Sequence, residues 1–247
     1  VVLVVEENSS YSEVIGSSEM PYLNSLAKQY GLAAQYFANT HPSIGNYFML
    51  TTGQIITNDD NFAGTVDADN IVRELVASGK TWKSYAESRG TVSYVQRHDP
   101  LSYFSDVVNS SSQMQNLVSF SQFGRDLTNN ALPNFSFIVP NIFDDAHSGT
   151  LQVADAWLQS NIDGLFKNAT FQKDGLLIIV FDEAATSDTT NGGGHVAALI
   201  ISAKARQGFQ STTLYQHQST LRLILQGLGA SNFPGASSSA PEMGEFF

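Results

Sequence analysis

Ser43 stands in the stretch NTHPSIGNYFMLTTG, residues 39–53, with Pro42 behind it and an apolar run ahead. A serine so placed is either the cap that starts a helix or an oxygen nucleophile held where free N–H groups and the helix dipole favour an anion. Acidic groups supply the other half of a chemistry. Glu6, Glu7 and Asn8 follow the apolar run Val1–Val5, and Asp182 and Glu183 follow the run Leu176–Phe181. A carboxylate directly after a buried strand is costly unless it meets a cation or a set of donors. Oxygen ligands of the Asp, Glu and Asn type suit hard divalent ions such as Mg²⁺, Ca²⁺ or Mn²⁺, with Zn²⁺ also admitted. Phosphoryl transfer needs an in-line oxygen nucleophile and a cation that stabilises charge on the attacking and leaving oxygens. A serine beside a carboxylate-bound ion meets that need.

These groups require a scaffold that brings distant strand ends together. The runs Val1–Val5, Phe135–Val139, Leu176–Phe181 and Val196–Ile201 are short and rich in β-branched residues, as strands covered on both faces are. Helical spacing covers Pro21–Tyr30, Asp69–Ser78, Gln113–Phe123, Leu151–Phe166 and Ser219–Leu228. Alternating strands and helices predict an α/β domain with a central parallel sheet, whose ligand site lies beyond the carboxyl ends of the strands. The stretches 109–113 and 186–194 read as loops, and the last twelve residues as a tail or edge element.

Composition narrows the functions. The chain has 247 residues, 42% of them apolar, which suits one domain over 1–247. Its 12 Lys and Arg against 23 Asp and Glu give a net charge of −11, and no basic run is present, so nucleic acid is not the expected partner. Cysteine is absent, which excludes disulfides and thiolate metal sites. No stretch approaches the ~20 apolar residues that cross a bilayer. The direct opening on a buried-strand pattern, VVLVV, predicts a missing upstream leader segment and hence export.

The stretches VVEENSSYSEVIG, MPYLNSLAKQYG, NTHPSIGNYFMLTTG, RHDPLSYFSD, PNIFDDAHSG and FDEAATSDTTNGGGHVAALIIS, in this order over nearly the whole chain, resemble the phosphoesterase family of the bacterial acid phosphatase A enzymes and the non-haemolytic phospholipases C. That family lies in the alkaline phosphatase superfamily, so the resemblance implies an α/β/α sandwich with a central, mostly parallel sheet. It implies Glu7 and Asn8 as metal ligands, Ser43 as nucleophile and metal neighbour, and Asp182 with Glu183 as the late acidic pair. His98, and Asp145 with His147, fall on elements whose histidines bind phosphate or pass protons to the leaving group. Asn46 falls on a polar residue that faces the phosphoryl oxygens. Ser9 departs from the pattern, since His or Arg commonly follows the Glu-Asn pair.

The reading is therefore a divalent-metal-dependent phosphoric monoester hydrolase, acid phosphatase-like, that acts on a small phosphorylated substrate through a phosphoserine intermediate. A phosphodiesterase or phospholipase C with the same site is the first alternative, and a non-catalytic binder of phosphorylated ligands the second. A second metal site from Asp145, His147 and His195 is weighed against His195 as a plain loop residue. His217 reads as structural, and Tyr103 and Phe104 as core or pocket wall. Carboxylates and bound phosphate favour a charged imidazole at His98 or His147, so activity is expected to peak below neutrality.

Overall fold

A computed structural model describes all residues, Val1–Phe247. Its strands are β1 (Val2–Glu6), β2 (Gly31–Ala33), β3 (Tyr36–Phe37), β4 (Trp82–Ala86), β5 (Leu117–Ser119), β6 (Phe135–Val139), β7 (Leu177–Phe181), β8 (Ala198–Ile201), β9 (Gln210–Ser211) and β10 (Tyr215–Gln216). Helices are α1 (Tyr11–Val14), α2 (Pro21–Gln29), α3 (Ser43–Thr52), α4 (Ile71–Ala77), α5 (Ser105–Val108), α6 (Ser111–Met114), α7 (Ser121–Thr128), α8 (Leu151–Ile162), α9 (Ala169–Asp174) and α10 (His217–Gly227).

Eight strands form one mixed, mostly parallel sheet in the order β5-β4-β6-β1-β7-β8-β2-β9, flanked by helices. The runs read as strands occupy its middle. Every residue of β1, β6 and β7 is buried, as a strand covered by helices on both faces must be. They join a core of 60 buried residues, where each Val, Leu, Ile or Phe contributes roughly 1.5–3 kcal/mol of burial. α3 and α4 both pack on α10, while α2 packs on α8.

β1 runs parallel to β6 on one side and β7 on the other, with Glu6 opposite Phe181. This register sets Glu7 beside Asp182, joining two acidic strand ends far apart in sequence. β8 departs from the expected parallel sheet, because it runs antiparallel to β7. The link between them, 182–197, contains no helix, and a parallel return needs a long crossover. The helix expected over Gln113–Phe123 is also corrected. The chain instead forms α6, β5 and α7 there, with Leu117–Ser119 pairing as an edge strand to β4. No helix is long and apolar enough to cross a membrane. The C-terminal residues form two 3₁₀ turns, Gly235–Ser238 and Gly244–Phe246, and both Phe246 and Met243, which precedes the second turn, are fully buried.

Candidate active site

Ser43 is the first residue of α3, and Pro42 occupies the cap position without capping the helix through a side chain. The Ser43 hydroxyl is thus available for other partners. Its Oγ lies 3.1 Å from Glu7 Oε2, 3.3 Å from Asn8 Oδ1 and 3.5 Å from Glu183 Oε1. The cap reading fails on this geometry, since the hydroxyl faces ligand-type oxygens from two other strand ends.

The segment before Ser43 is clamped by the glycine-rich loop. Ala38 donates its N–H to Gly194 O at 2.9 Å, and Gly193 donates to Ala38 O at 3.1 Å. A Cβ on Gly193 would stand 2.3 Å from Thr40 O, so only glycine permits this approach. His41 is fixed between Glu183 Oε2 at 3.0 Å and Asp188 O at 2.9 Å.

β1 and β7 deliver the carboxylates. The Asn8 N–H donates to Asp182 Oδ1 at 3.1 Å, and the Asp182 N–H to Glu6 O at 2.9 Å. Asn8 takes φ +49°, a left-handed conformation that asparagine tolerates better than most residues. Glu7 and Asp182 are fully buried, and 3% of Glu183 is exposed. Burial pushes the Asp182 carboxyl well above the usual range, and the charges of Glu7 and Glu183 push further. Burial likewise raises Glu183 to about 7. Asp182 Oδ2 is buried and has no hydrogen-bond partner. The oxygens of Glu7, Asn8, Ser43, Asp182 and Glu183 are of the kind a hard divalent cation takes, and the orphaned Asp182 oxygen is left for such a partner.

The histidines approach from β6 and from beyond β4. The Glu7 N–H donates to Asp145 O at 2.8 Å, which ties the 140–149 loop to β1. His98 is buried and stacks on Tyr47, with ring centroids 5.3 Å apart and planes 6° from parallel. Its Nδ1 is 3.1 Å from Asp145 Oδ2, and its Nε2 is 3.4 Å from Glu7 Oε1. His147 Nδ1 is 3.2 Å from Glu7 Oε2 and 2.9 Å from Asn8 Nδ2. Electrostatics separate the two rings. Burial lowers His98 to about 4, whereas the hydrogen bond to Glu7 raises His147 above its ordinary value. Of the pair, His147 is the one held charged in mild acid.

One expected placement needs correction and another holds in part. Asn46 does reach an oxygen of the carboxylate beside Ser43, its Nδ2 lying 3.5 Å from Glu183 Oε2, but its amide is already engaged. Its Oδ1 accepts from the N–H groups of Asn39 and Thr40 at 2.9 and 3.2 Å, and its Nδ2 donates to Thr40 O at 2.8 Å, so it braces the loop before Ser43. His195 does not join Asp145 and His147. It is stacked between Tyr11 and Phe37, and its Nε2 meets Ala34 O at 3.0 Å. The His and acid side chains that converge closely enough to hold an ion are instead Glu7, His98 and His147, whose ligand atoms lie within 4.8 Å of one another.

His217 is structural, as its sequence position suggests, but it braces the site. Fully buried at the start of α10, it meets Asp182 O at 2.6 Å. Tyr47 was not singled out by sequence, although its hydroxyl donates to Glu7 Oε1. Its one signal was a spacing of four residues from Ser43, which puts both on one face of α3. Tyr103 and Phe104 are buried in the core.

Comparisons with known proteins bear on the family and the fold. The model of the Phosphoesterase family matches residues 16–229. A phosphatidylinositol-3-phosphatase of Mycobacterium tuberculosis is 30% identical over 251 residues, covering 98% of this chain and 80% of that one. A probable acid phosphatase of Kluyveromyces lactis is 29% identical, covering 90% of this chain and 56% of the relative. The chain spans about half the length of the fungal acid phosphatases it matches. Among solved structures, a protein of the alkaline phosphatase superfamily from Vibrio parahaemolyticus superposes with a TM-score of 0.69 at 14% identity, over 97% of this chain and 69% of that one. At that identity the likeness concerns the fold.

Proposed function

The chain belongs to the phosphoesterase family, and from that premise we propose that it is a metal-dependent phosphoric monoester hydrolase with Ser43 as nucleophile. The observation that carries this reading is the Ser43 hydroxyl, buried and surrounded by Glu7, Asn8 and Glu183 at hydrogen-bond distances. A monoester is favoured because the relatives bear the names acid phosphatase and phosphatidylinositol-3-phosphatase. The acidic surroundings alone would repel a phosphate dianion, so the reading requires a cation. Held by Glu7, Asn8, Asp182 and Glu183, a divalent ion would supply positive charge that favours the serine alkoxide and offsets charge on the phosphoryl oxygens.

In the first half-reaction Ser43 Oγ attacks phosphorus and its proton departs towards Glu7, its nearest acceptor. The bond from phosphorus to the ester oxygen breaks, leaving a phosphoseryl ester. His147 donates a proton from Nε2 to the departing oxygen, its protonated Nδ1 being held by Glu7 Oε2. Water, giving a proton to the now neutral His147, then attacks the phosphoseryl phosphorus; the bond from phosphorus to Ser43 Oγ breaks, the serine oxygen recovers its proton from Glu7, and phosphate departs. His98 serves as a neutral wall, oriented by Asp145 and Tyr47.

The test uses p-nitrophenyl phosphate with and without added Mg²⁺, Ca²⁺, Mn²⁺ or Zn²⁺ after chelation, followed by an acid quench and phosphopeptide mapping. Cation-dependent turnover with phosphate on Ser43 is expected. Turnover of the bis ester above the monoester would move the protein to the diesterases, and no turnover with retained cation binding would make it a binding protein. Export and the single-domain reading over 1–247 are part of the same proposal. Both are tested by fractionating the native host and by limited proteolysis.

A further inference from the structure

Asp60, on the loop after α3, is not part of the machinery described above, yet it reaches the amino end of α3. Its Oδ1 accepts the N–H of Ile44, the residue after Ser43, at 3.3 Å. Its Oδ2 lies 3.4 Å from Arg97 Nε, where Arg97 directly precedes His98 on a 3₁₀ turn packed against α3. Both side chains are partly exposed, 32% for Asp60 and 21% for Arg97, so the pair lies on the rim. The field of Asp60 is felt by Glu183 and His98, and that of Arg97 by His98 and His147. A carboxylate thus holds one backbone donor at a helix amino terminus and one guanidinium, beside a serine already argued to take a phosphoryl group. Those two donor types are the ones that bind phosphate oxygens elsewhere in proteins.

We propose that Asp60 is a specificity-determining residue that competes with the phosphoryl group of the substrate for Arg97 and the Ile44 N–H. This rests on the reading of Ser43 as nucleophile and deepens it. An entering phosphate must displace the Asp60 carboxylate, after which Arg97 closes on the phosphoryl oxygens. A carboxylate left in place repels an anion, so weak anions fail to enter and the product phosphate is expelled more readily. The same logic disfavours substrates with a second anionic group close to the scissile phosphate.

The test measures competitive inhibition by inorganic phosphate during turnover of p-nitrophenyl phosphate, in wild type, Asp60→Asn, Arg97→Gln and the double variant. Asparagine keeps an acceptor for the Ile44 N–H and removes the charge. Asp60→Asn is expected to tighten phosphate inhibition about 5- to 10-fold at low ionic strength and to lose much of that gain in high salt. Arg97→Gln is expected to weaken inhibition by a similar factor, and the Asp60→Asn gain is expected to shrink to less than about 2-fold in the Arg97→Gln background. A merely structural tether would change thermal stability without changing phosphate affinity or its salt dependence. Inhibition unchanged in Asp60→Asn, or an equal gain with and without Arg97, overturns the proposal while leaving Ser43-dependent turnover intact. Absence of Ser43-dependent turnover in wild type overturns the reading of the nucleophile and this proposal with it.

Discussion

Asp99 and Asp182 are both aspartates with no exposed surface, and the protein treats them in opposite ways. Asp99 is answered on every side, by the Arg89 guanidinium, the Ser84 hydroxyl at 2.7 Å and the Tyr94 hydroxyl at 3.0 Å. Burial raises its carboxyl, and all three partners pull it back. At Asp182 burial is joined by repulsion from Glu7 and Glu183, and Oδ2 has no partner. A charge fully answered by the chain serves the fold. The unanswered charge of Asp182 lies among the oxygens about Ser43, where a cation from outside would answer it.

The largest effect expected from this contrast belongs to Ser43→Ala. Turnover should fall at least ~10³-fold by steady-state assay, because the covalent route closes, while Tm stays within a few degrees. Wild-type-like activity would return Ser43 to a structural role and break the contrast at its centre.

Paired asparagine variants come next. Asp182→Asn should weaken divalent-cation affinity ~10²- to 10³-fold by titration calorimetry and should not lower Tm in chelator, since it removes a repelled charge. Asp99→Asn should do the reverse, costing about 3 kcal/mol by denaturant melt with cation affinity changed only a few-fold, because it strands Arg89. Equal responses in the two variants would erase the distinction.

A smaller effect appears on changing pH in chelator. Folding raises Glu183 from 4.5 and Asp145 from 3.8, each to about 7. Between about pH 4 and 7 the folded state therefore holds protons that the unfolded state has released, so stability must fall as pH rises. A tenfold change in proton affinity on folding is worth ~1.4 kcal/mol, and after solvent screening and mutual repulsion the two carboxyls should together lose about 2–3 kcal/mol across that window in a series of denaturant melts. Saturating cation should reverse the slope, because ligand carboxylates then bind ionised. His147 acts in the same direction as the acids. Its raised folded pKa contributes stability that is present below about 6.5 and lost as pH passes the folded value.

The candidate site was legible where chemistry and hydrophobicity coincide. Continuous apolar runs marked β1, β6 and β7, and each delivered acidic residues just past its end. β4 was not legible, because WKSYA has no apolar run. Lys83 pairs with Asp126 and Ser84 is satisfied by Asp99, which are contacts no local pattern announces. His195 misled because a histidine after glycines looks available, and only the fold reveals Tyr11 and Phe37 stacked on its two faces. Asn46 was correctly placed one turn from Ser43, but its task is set by the backbone of Asn39 and Thr40.

The parallel register of β1 and β7 carries a consequence for time as well as space. Asn8 and Asp182 are 174 residues apart in the chain and meet only when those two central strands have paired. Such a long-range pairing forms only once the entropy of the intervening loop has been overcome. A divalent ion held by both strand ends would therefore fasten a fold already built. Added cation should slow unfolding in a stopped-flow denaturant jump and leave the refolding rate unchanged, because a contact absent from the transition state acts on unfolding alone. Chelation would then shorten the life of the native protein without hindering its birth.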